Sequence, residues 1–458
     1  MDSLVDQIER LIASLAEGGG APAVAPGSPS ALRSQLAEHI DFSQPVPRED
    51  LLQAAAVLLR ATSAQGDHGQ YFGSIALGSR NATLAAASLE AGLGLLPAAW
   101  ELAPGAAELE NLLLADLVRA VGMDSERTVA RVCESGEEAQ LAALIAAATQ
   151  CFPEYESKGA PADAGGRARL YCSEAILGPW QKRAHAAGFG REAVRAVSCD
   201  AAGRLDPNAL RRLVIDDARQ GDTPFFVAVG AGAASTGAID PVKRLVAFGR
   251  VQGMWVHIDG NGLGLGVYCP RLQPLLDGTG YADSFACETR GGLPAAGSAG
   301  FLLCRHPRPV SHAFAVDDPR LPATTAGAAE ARGSGLLGAR RAAGLPFLLW
   351  LAQLGHQGYA ESLDRLCLRA DELRELLRAA ECTLLGADDV PVVCFLPPGT
   401  QSAQELEQIA AQLRNGSVAW IDSIQQPQGA PCLRAWLSSP TTGPNELAAL
   451  VSGVLEAL

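Results

Sequence analysis

The chain has 458 residues, 48% of them hydrophobic and 19% charged, enough for one large α/β domain with a smaller satellite and a substantial core. Its formal net charge is −14 with no basic run, which argues against nucleic acid or an anionic membrane as partner. Lysine is confined to Lys158, Lys182 and Lys243, so any chemistry that needs a primary amine has three places to happen.

The amphipathic, acidic opening "MDSLVDQIERLIASL" predicts a helix over 1–16 and lacks the basic n-region of an export signal. A Gly/Ala/Pro/Ser linker follows over 16–31, and residues 1–47 are expected to be a helix plus flexible connection. Helical patterns occupy 48–125, among them "REDLLQAAAVLLRAT" and "ELENLLLADLVRAVG". From about 130 to 305 short apolar runs ("RARLYC", "AVRAVSCD", "PFFVAVG", "MWVHID", "GFLLCRH") alternate with helical ones ("EEAQLAALIAAATQ", "DPNALRRLVIDDARQ"). Such alternation predicts a mainly parallel sheet with helices on both faces, a large domain over 48–345. Residues 306–338 read as irregular. The segment 346–458 begins with long helical patterns and continues with "VPVVCFLPP", "AQELEQIAAQLRN", "SVAWID", "CLRAWLS" and "NELAALVSGVLEAL", a small α+β domain. No stretch of ~18 apolar residues predicts a membrane span. The 11 cysteines stand singly, without metal-ligand spacing, and predict reduced core residues; the expected location is cytoplasmic, with no metal.

The wording and order of "YFGSIALGSRNATLAAASLEAGLG", "WELAPGAAELENLLLADLVRAVGM", "DAAGRLDPNALRRLV", "TPFFVAVGAGAASTGAIDPV" and "MWVHIDGNGLG" resemble the group II pyridoxal-phosphate-dependent amino-acid decarboxylases, from about residue 48 to the end. The resemblance implies a fold-type-I architecture, a dimer with active sites at its interface, and a carboxy-lyase working on an amino acid through pyridoxal phosphate. It also implies where each coenzyme-binding group belongs, and there this sequence departs. A gapless match of "ADSFACETRGG" (282–292) puts Glu288 at the family's Asn/Asp, Thr289 at its proline, Arg290 at its histidine and Gly291 at its Schiff-base lysine. Neither glycine nor a permanently protonated guanidinium supplies a nucleophilic amine, and no lysine follows Lys243. The phosphate turn corresponds to "CESGEEAQ" (133–140), with Ser135 and Gly136 at its centre and Glu137 where the family has a phosphate-binding serine. A carboxylate there favours the helix start and repels a phosphate competing for the same donors. Leu177 stands for the ring-stacking histidine, and "AGAA" (231–234), with Ala233, for a hydroxyl-bearing turn. The loop expected to carry a catalytic tyrosine, 306–340, contains none. Asp259, matching the aspartate that pairs with the pyridine nitrogen, is retained.

Each position has a structural alternative. Asp259 reads either as a residual ring contact or, preferably, as a strand-end aspartate bonded to its own turn. His257 reads as a packed strand residue rather than a base. Glu288 and Arg290 either form a new polar site or pair with each other or with a dimer partner. Lys182 and Lys243 read as solvated. The implied function is a decarboxylase-fold homologue without the coenzyme reaction, kept as a structural or regulatory partner in a homodimer or beside an active paralogue. The alternatives are an active carboxy-lyase that still uses pyridoxal phosphate, or a cleft taking a different small molecule, cationic or neutral.

Overall fold

The computed structural model describes residues 28–40, 43, 45–62, 66, 68–74, 80–95, 97, 99–161, 166–291, 293, 295–315, 325, 336, 340–400, 402–427 and 429–458. The helix expected over 1–16 and most of the tyrosine-free 306–340 loop lie outside these residues. The last residues of the expected linker are helical instead. Ser28 accepts a hydrogen bond from the Ala31 N–H at 3.2 Å and opens α1 (Pro29–His39), where proline suits the first turn. Helices α2 (Arg48–Thr62), α3 (Arg80–Leu93) and α4 (Pro104–Val121) complete the N-terminal helical part.

Seven strands form the large sheet: β1 (Val129–Cys133), β2 (Ala168–Ser173), β3 (Val194–Val197), β4 (Thr223–Gly230), β5 (Trp255–Gly260), β6 (Ser284–Glu288) and β7 (Gly300–Cys304). Their order is β1-β7-β6-β5-β4-β2-β3. Strands β3, β2, β4, β5 and β6 run parallel, whereas β7 is antiparallel to both β6 and β1. The crossovers are α5 (Gly136–Cys151), the single turn α6 (Tyr155–Lys158), α7 (Leu177–Ala186), α8 (Pro207–Arg219) and α9 (Val242–Val251); α10 (Pro307–Phe314) follows β7.

Central strands buried on both faces read as continuous apolar runs, which is why "PFFVAVG" shows no alternation. The strand period of two still sorts the side chains. Val227, Val229, Val256 and Ile258 enter one core, while Phe226, Ala228 and Trp255 enter the other with α5 and α7. His257 and Asp259 share Trp255's face, so β5 presents its polar end to α5 and α7. Ala139, Ala142, Ala143, Ala146 and Ala147 are wholly buried, and a helix so poor in bulk lies close against the sheet.

Helix α11 (Leu345–Ala379) bends at Gly355, whose φ of 64° breaks the helical path. Its first turns (Leu345, Phe347, Leu348, Leu351) join the large core, and Leu366, Ala370, Leu373 and Leu377 join the small one. The boundary expected at 345/346 therefore falls at the start of one long helix shared by both units. The small unit has an antiparallel sheet in the order β10-β11-β9-β8, built from β8 (Thr383–Leu385), β9 (Val392–Leu396), β10 (Asp422–Gln425) and β11 (Pro431–Trp436). It is covered by α12 (Ala403–Asn415) and α13 (Pro444–Glu456). "SVAWID" is only partly a strand: pairing begins at Asp422, and Trp420 makes a single bridge to Tyr71. Phe72 is buried in the small unit's core, which ties the 68–74 segment to the C-terminal end of the chain. All eleven cysteines are free; nine are buried, and Cys151 and Cys199 are half-buried.

Candidate functional site

Ligands of open α/β sheets bind beyond the carboxyl ends of the strands. Here that end holds a cavity of about 240 Å3 between the large sheet and the small unit. Of the residues singled out in the sequence, Glu137, Asp259, Glu288, Arg290 and Gly291 line it. Ser135 and Gly136 sit beside it at the start of α5, where Ser135 Oγ accepts from the Glu138 N–H at 3.2 Å. Leu177 and Ala233 are not among its lining; their neighbours Ile176, Gly232 and Ala234 are.

At the end of β5, Asp259 is 9% exposed and each of its carboxylate oxygens has an internal donor. Oδ1 accepts from Gln140 Nε2 at 2.7 Å and Oδ2 from the indole Nε1 of Trp180 at 2.9 Å. Gln140 must then present Oε1 to His257 Nε2, so the imidazole carries its proton on Nε2. Nδ1 is left to accept from Ser284 Oγ at 2.7 Å, and Ser284 accepts from Trp255 Nε1 at 2.8 Å. One chain of bonds thus runs from Trp255 to Asp259 with every donor matched to an acceptor. Burial, with the Arg183 charge nearby, pushes His257 down to about 3, so this ring is neutral and structural, as the sequence reading expects.

At the helix start, the carboxylate of Glu288 accepts from the Gly136 N–H at 3.1 Å. Glu288 does not pair with Arg290 within the chain, contrary to one expectation. Burial, reinforced by Asp259 and Glu137, raises its pKa even though the Gly136 bond opposes the shift. Glu137 bonds Lys182 Nζ at 2.7 Å, which holds its carboxyl below the usual range. Lys182 is exposed, as is Lys243, which pairs with Asp277 at 2.8 Å. Glu134 turns away to Arg341 at 3.0 Å.

Gly291 has no space for a side chain. A Cβ there would lie 1.9 Å from the carbonyl oxygen of Asn261 and 3.0 Å from that of Gly262. Gly136 is equally confined, since its Cβ would meet Asn261 Oδ1 at 2.4 Å.

Five residues of the site escape sequence reasoning: Gln140, Trp180, Arg183, Asn261 and Trp436. Trp180 and Gln140 fall at core spacing on helices, where a tryptophan ordinarily means packing. Arg183 belongs to the polar-looking run "QKRA" yet is only 5% exposed, with its guanidinium 5.0 Å from the Trp180 ring centroid. Among the described residues, no cluster of three or more His, Cys, Asp or Glu is placed to hold a metal, and no helix is long and apolar enough to cross a membrane.

Residues 29–396 match the pyridoxal-dependent decarboxylase conserved domain. The chain belongs to that family. Mouse cysteine sulfinic acid decarboxylase is 26% identical over 395 residues, covering 82% of this chain and 78% of that protein. Phenylacetaldehyde synthase of Petunia hybrida is 26% identical over 53% of the chain and 48% of the relative; tyrosine decarboxylase of Oryza sativa is 30% identical over 43% and 38%. The chain thus spans half or less of the length of these last two relatives. Among solved structures, mouse CSAD in apo form superposes with a TM-score of 0.88 at 21% identity, covering 98% of each chain. Rhodiola rosea 4-hydroxyphenylacetaldehyde synthase gives 0.87 at 20%, over 100% of this chain and 98% of its own. These likenesses establish the family fold, a large α/β sheet domain with helices on both faces and a small antiparallel-sheet unit.

Proposed function

We propose that this decarboxylase-family chain has given up the coenzyme reaction and serves as a structural or regulatory subunit, as a homodimer or beside an active paralogue. The observation that carries the reading is Gly291, whose Cα is sealed against the Asn261 carbonyl, so that the family's lysine is missing from the sequence and its space from the fold. The residues around it do not fit pyridoxal phosphate. The carboxylate aligned with the pyridine-nitrogen partner spends both oxygens on Gln140 and Trp180. The N–H at the α5 start is held by Glu288, beside a second carboxylate on Glu137. The cavity is also smaller than the ~300 Å3 at which small-molecule pockets usually begin. Exposed leucines on the N-terminal helices, Leu59, Leu93 and Leu112, support a subunit interface there.

The test is spectroscopic. Purified full-length protein incubated with pyridoxal phosphate should show no protein-bound visible band, and borohydride reduction followed by peptide mapping should find no pyridoxyl-lysine in the cleft. A saturable band, or carbon dioxide release from an amino-acid panel by homogeneous protein, overturns the proposal in favour of an active carboxy-lyase. Light scattering of the chain alone and mixed with an active paralogue separates homodimer from heterodimer.

A further inference from the structure

The cleft is lined by three carboxylates, which suggests a cation or neutral molecule as ligand; the hydrogen bonding reverses that expectation. Glu137 is committed to Lys182, Glu288 to the Gly136 N–H, and Asp259 to Gln140 and Trp180. What remains open is mainly of the opposite kind. Nε and Nη1 of Arg183 are buried and make no hydrogen bond, in a side chain 95% removed from solvent that lines the cavity. Buried polar atoms are nearly always bonded, and a guanidinium is the costliest to leave without an acceptor, since it cannot shed its proton. Arg290 lines the same cavity from an exposed position. Asn261 Oδ1 is the one unpartnered buried acceptor among the described lining residues. Ile176, Pro179 and Trp436 add apolar wall.

Resting on the reading that the coenzyme is gone, we propose that this cavity binds a small organic carboxylate carrying a hydroxyl group, held by Arg183 and Arg290 and donating to Asn261 Oδ1. A carboxylate bridges Nε and Nη2 along one edge of a guanidinium or Nη1 and Nη2 across its end, a rigid fork that a lysine does not offer, so each unbonded nitrogen of Arg183 would be served in a fork shared with Nη2. The three committed carboxylates stabilise the guanidinium at a distance without filling its donors, so the protein folds with the site open. An amine finds both oxygens of Asp259 already taken. The small volume admits a short acid and excludes a long chain.

The experiment is a thermal-shift series on the full chain with glycolate, acetate, methylammonium and inorganic phosphate, at ionic strength matched with sodium chloride. Glycolate should raise the melting temperature saturably, by about 2–3 °C at a hundredfold excess over Kd in a chain of this length. Acetate should do less and methylammonium nothing. Arg183→Met should abolish the glycolate shift and Arg183→Lys reduce it. Arg290→Met, at the exposed mouth where folding is not at stake, should weaken glycolate binding several-fold. A flat carboxylate series, an equal shift in Arg183→Met and Arg290→Met, or a larger shift with phosphate overturns the inference. A parallel arm with pyridoxal phosphate keeps the two readings apart. A visible band there sinks the loss of the coenzyme, whereas no band together with no glycolate response sinks only the carboxylate site.

Discussion

On the proposed reading, a lysine introduced at Gly291 tests whether one substitution or a rebuilt site separates this chain from an active carboxy-lyase. In Gly291→Lys the new Cβ falls 1.9 Å from the Asn261 carbonyl oxygen, so the 259–262 turn must yield by more than an ångström before the side chain is accommodated. That turn carries Asp259 and Asn261, and it is packed against Gly136 at the head of α5. Overpacking of this kind costs about 1–3 kcal/mol. With an unfolding entropy of roughly 2.1 cal/mol/K per residue, 458 residues give about 1 °C per kcal/mol, so a loss of about 1–3 °C is expected. Gly291→Ala meets the same clash without an amine and should fall by a similar amount. Calorimetry of both variants, paired with coenzyme absorbance and borohydride trapping, checks the argument. The expected result is two destabilised proteins and no adduct at position 291. A Gly291→Lys variant that melts with the wild type, or that traps the coenzyme at that position, would show the cleft intact and the reasoning wrong.

Trp180→Phe removes the donor to Asp259 Oδ2 and should cost about 1.5–3 kcal/mol in urea denaturation, as for a hydrogen bond to a buried charge; a loss under half a kcal/mol would mean that water or another donor serves that oxygen. A pH profile tests Asp240, whose burial lifts it to about 7 although the Leu205 and Gly230 N–H groups both donate to it at 2.7 Å. The folded chain then holds a proton that the unfolded chain releases from about pH 4 upward, so this group's contribution falls as pH rises to 7, by roughly 4 kcal/mol in all. His257, neutral when folded, acts in the opposite sense and loses stability as pH drops from about 6.5 toward 3. Wild-type stability relative to Asp240→Asn should therefore fall steadily between pH 4 and 7; parallel profiles would refute the raised value.

The fold was legible because its signals are local and redundant. β4 is an unbroken apolar block between turns, β2 and β3 are apolar runs with one arginine each, and "REDLLQAAAVLLRAT" and "AQELEQIAAQLRN" coincide with α2 and α12 residue for residue. What escaped was short or tertiary in cause. β8 is three residues long and half-buried, too brief for periodicity to register. β1 lies at the sheet edge in a run interrupted by Arg131. In the site, the family resemblance pointed to Gly291, Glu137 and Glu288 as departures from the expected residues and to Asp259 as a match. It gave no sign of Trp180, Gln140 or Arg183, since nothing in a helical tryptophan or glutamine says which buried carboxylate it will meet. The difference between the expected cationic or neutral ligand and the carboxylate proposed above has the same root. Counting acids along the chain measures charge, whereas ligand preference depends on which polar atoms remain unbonded.

These replacements form one pattern. A coenzyme in such a cleft is itself a structural element, supplying a donor to a buried aspartate, acceptors to a helix N-terminus and bulk between the two domains. Removing only the lysine would leave those groups bare, and each bare buried group costs about 1–3 kcal/mol, more where it is charged. Here an indole N–H meets the aspartate, a glutamate carboxylate meets the helix, and the Asn261 carbonyl closes over Gly291. On the proposed reading, loss of the reaction and retention of a stable fold are compatible, because side chains of the protein would perform the coenzyme's structural work. If that is correct, the chain's melting temperature is independent of added pyridoxal phosphate. A chain that had lost the lysine alone would instead gain stability as RT ln(1 + [L]/Kd) from non-covalent coenzyme. A coenzyme titration that leaves the unfolding curve in place therefore separates a cleft rebuilt around its own side chains from one merely missing a nucleophile.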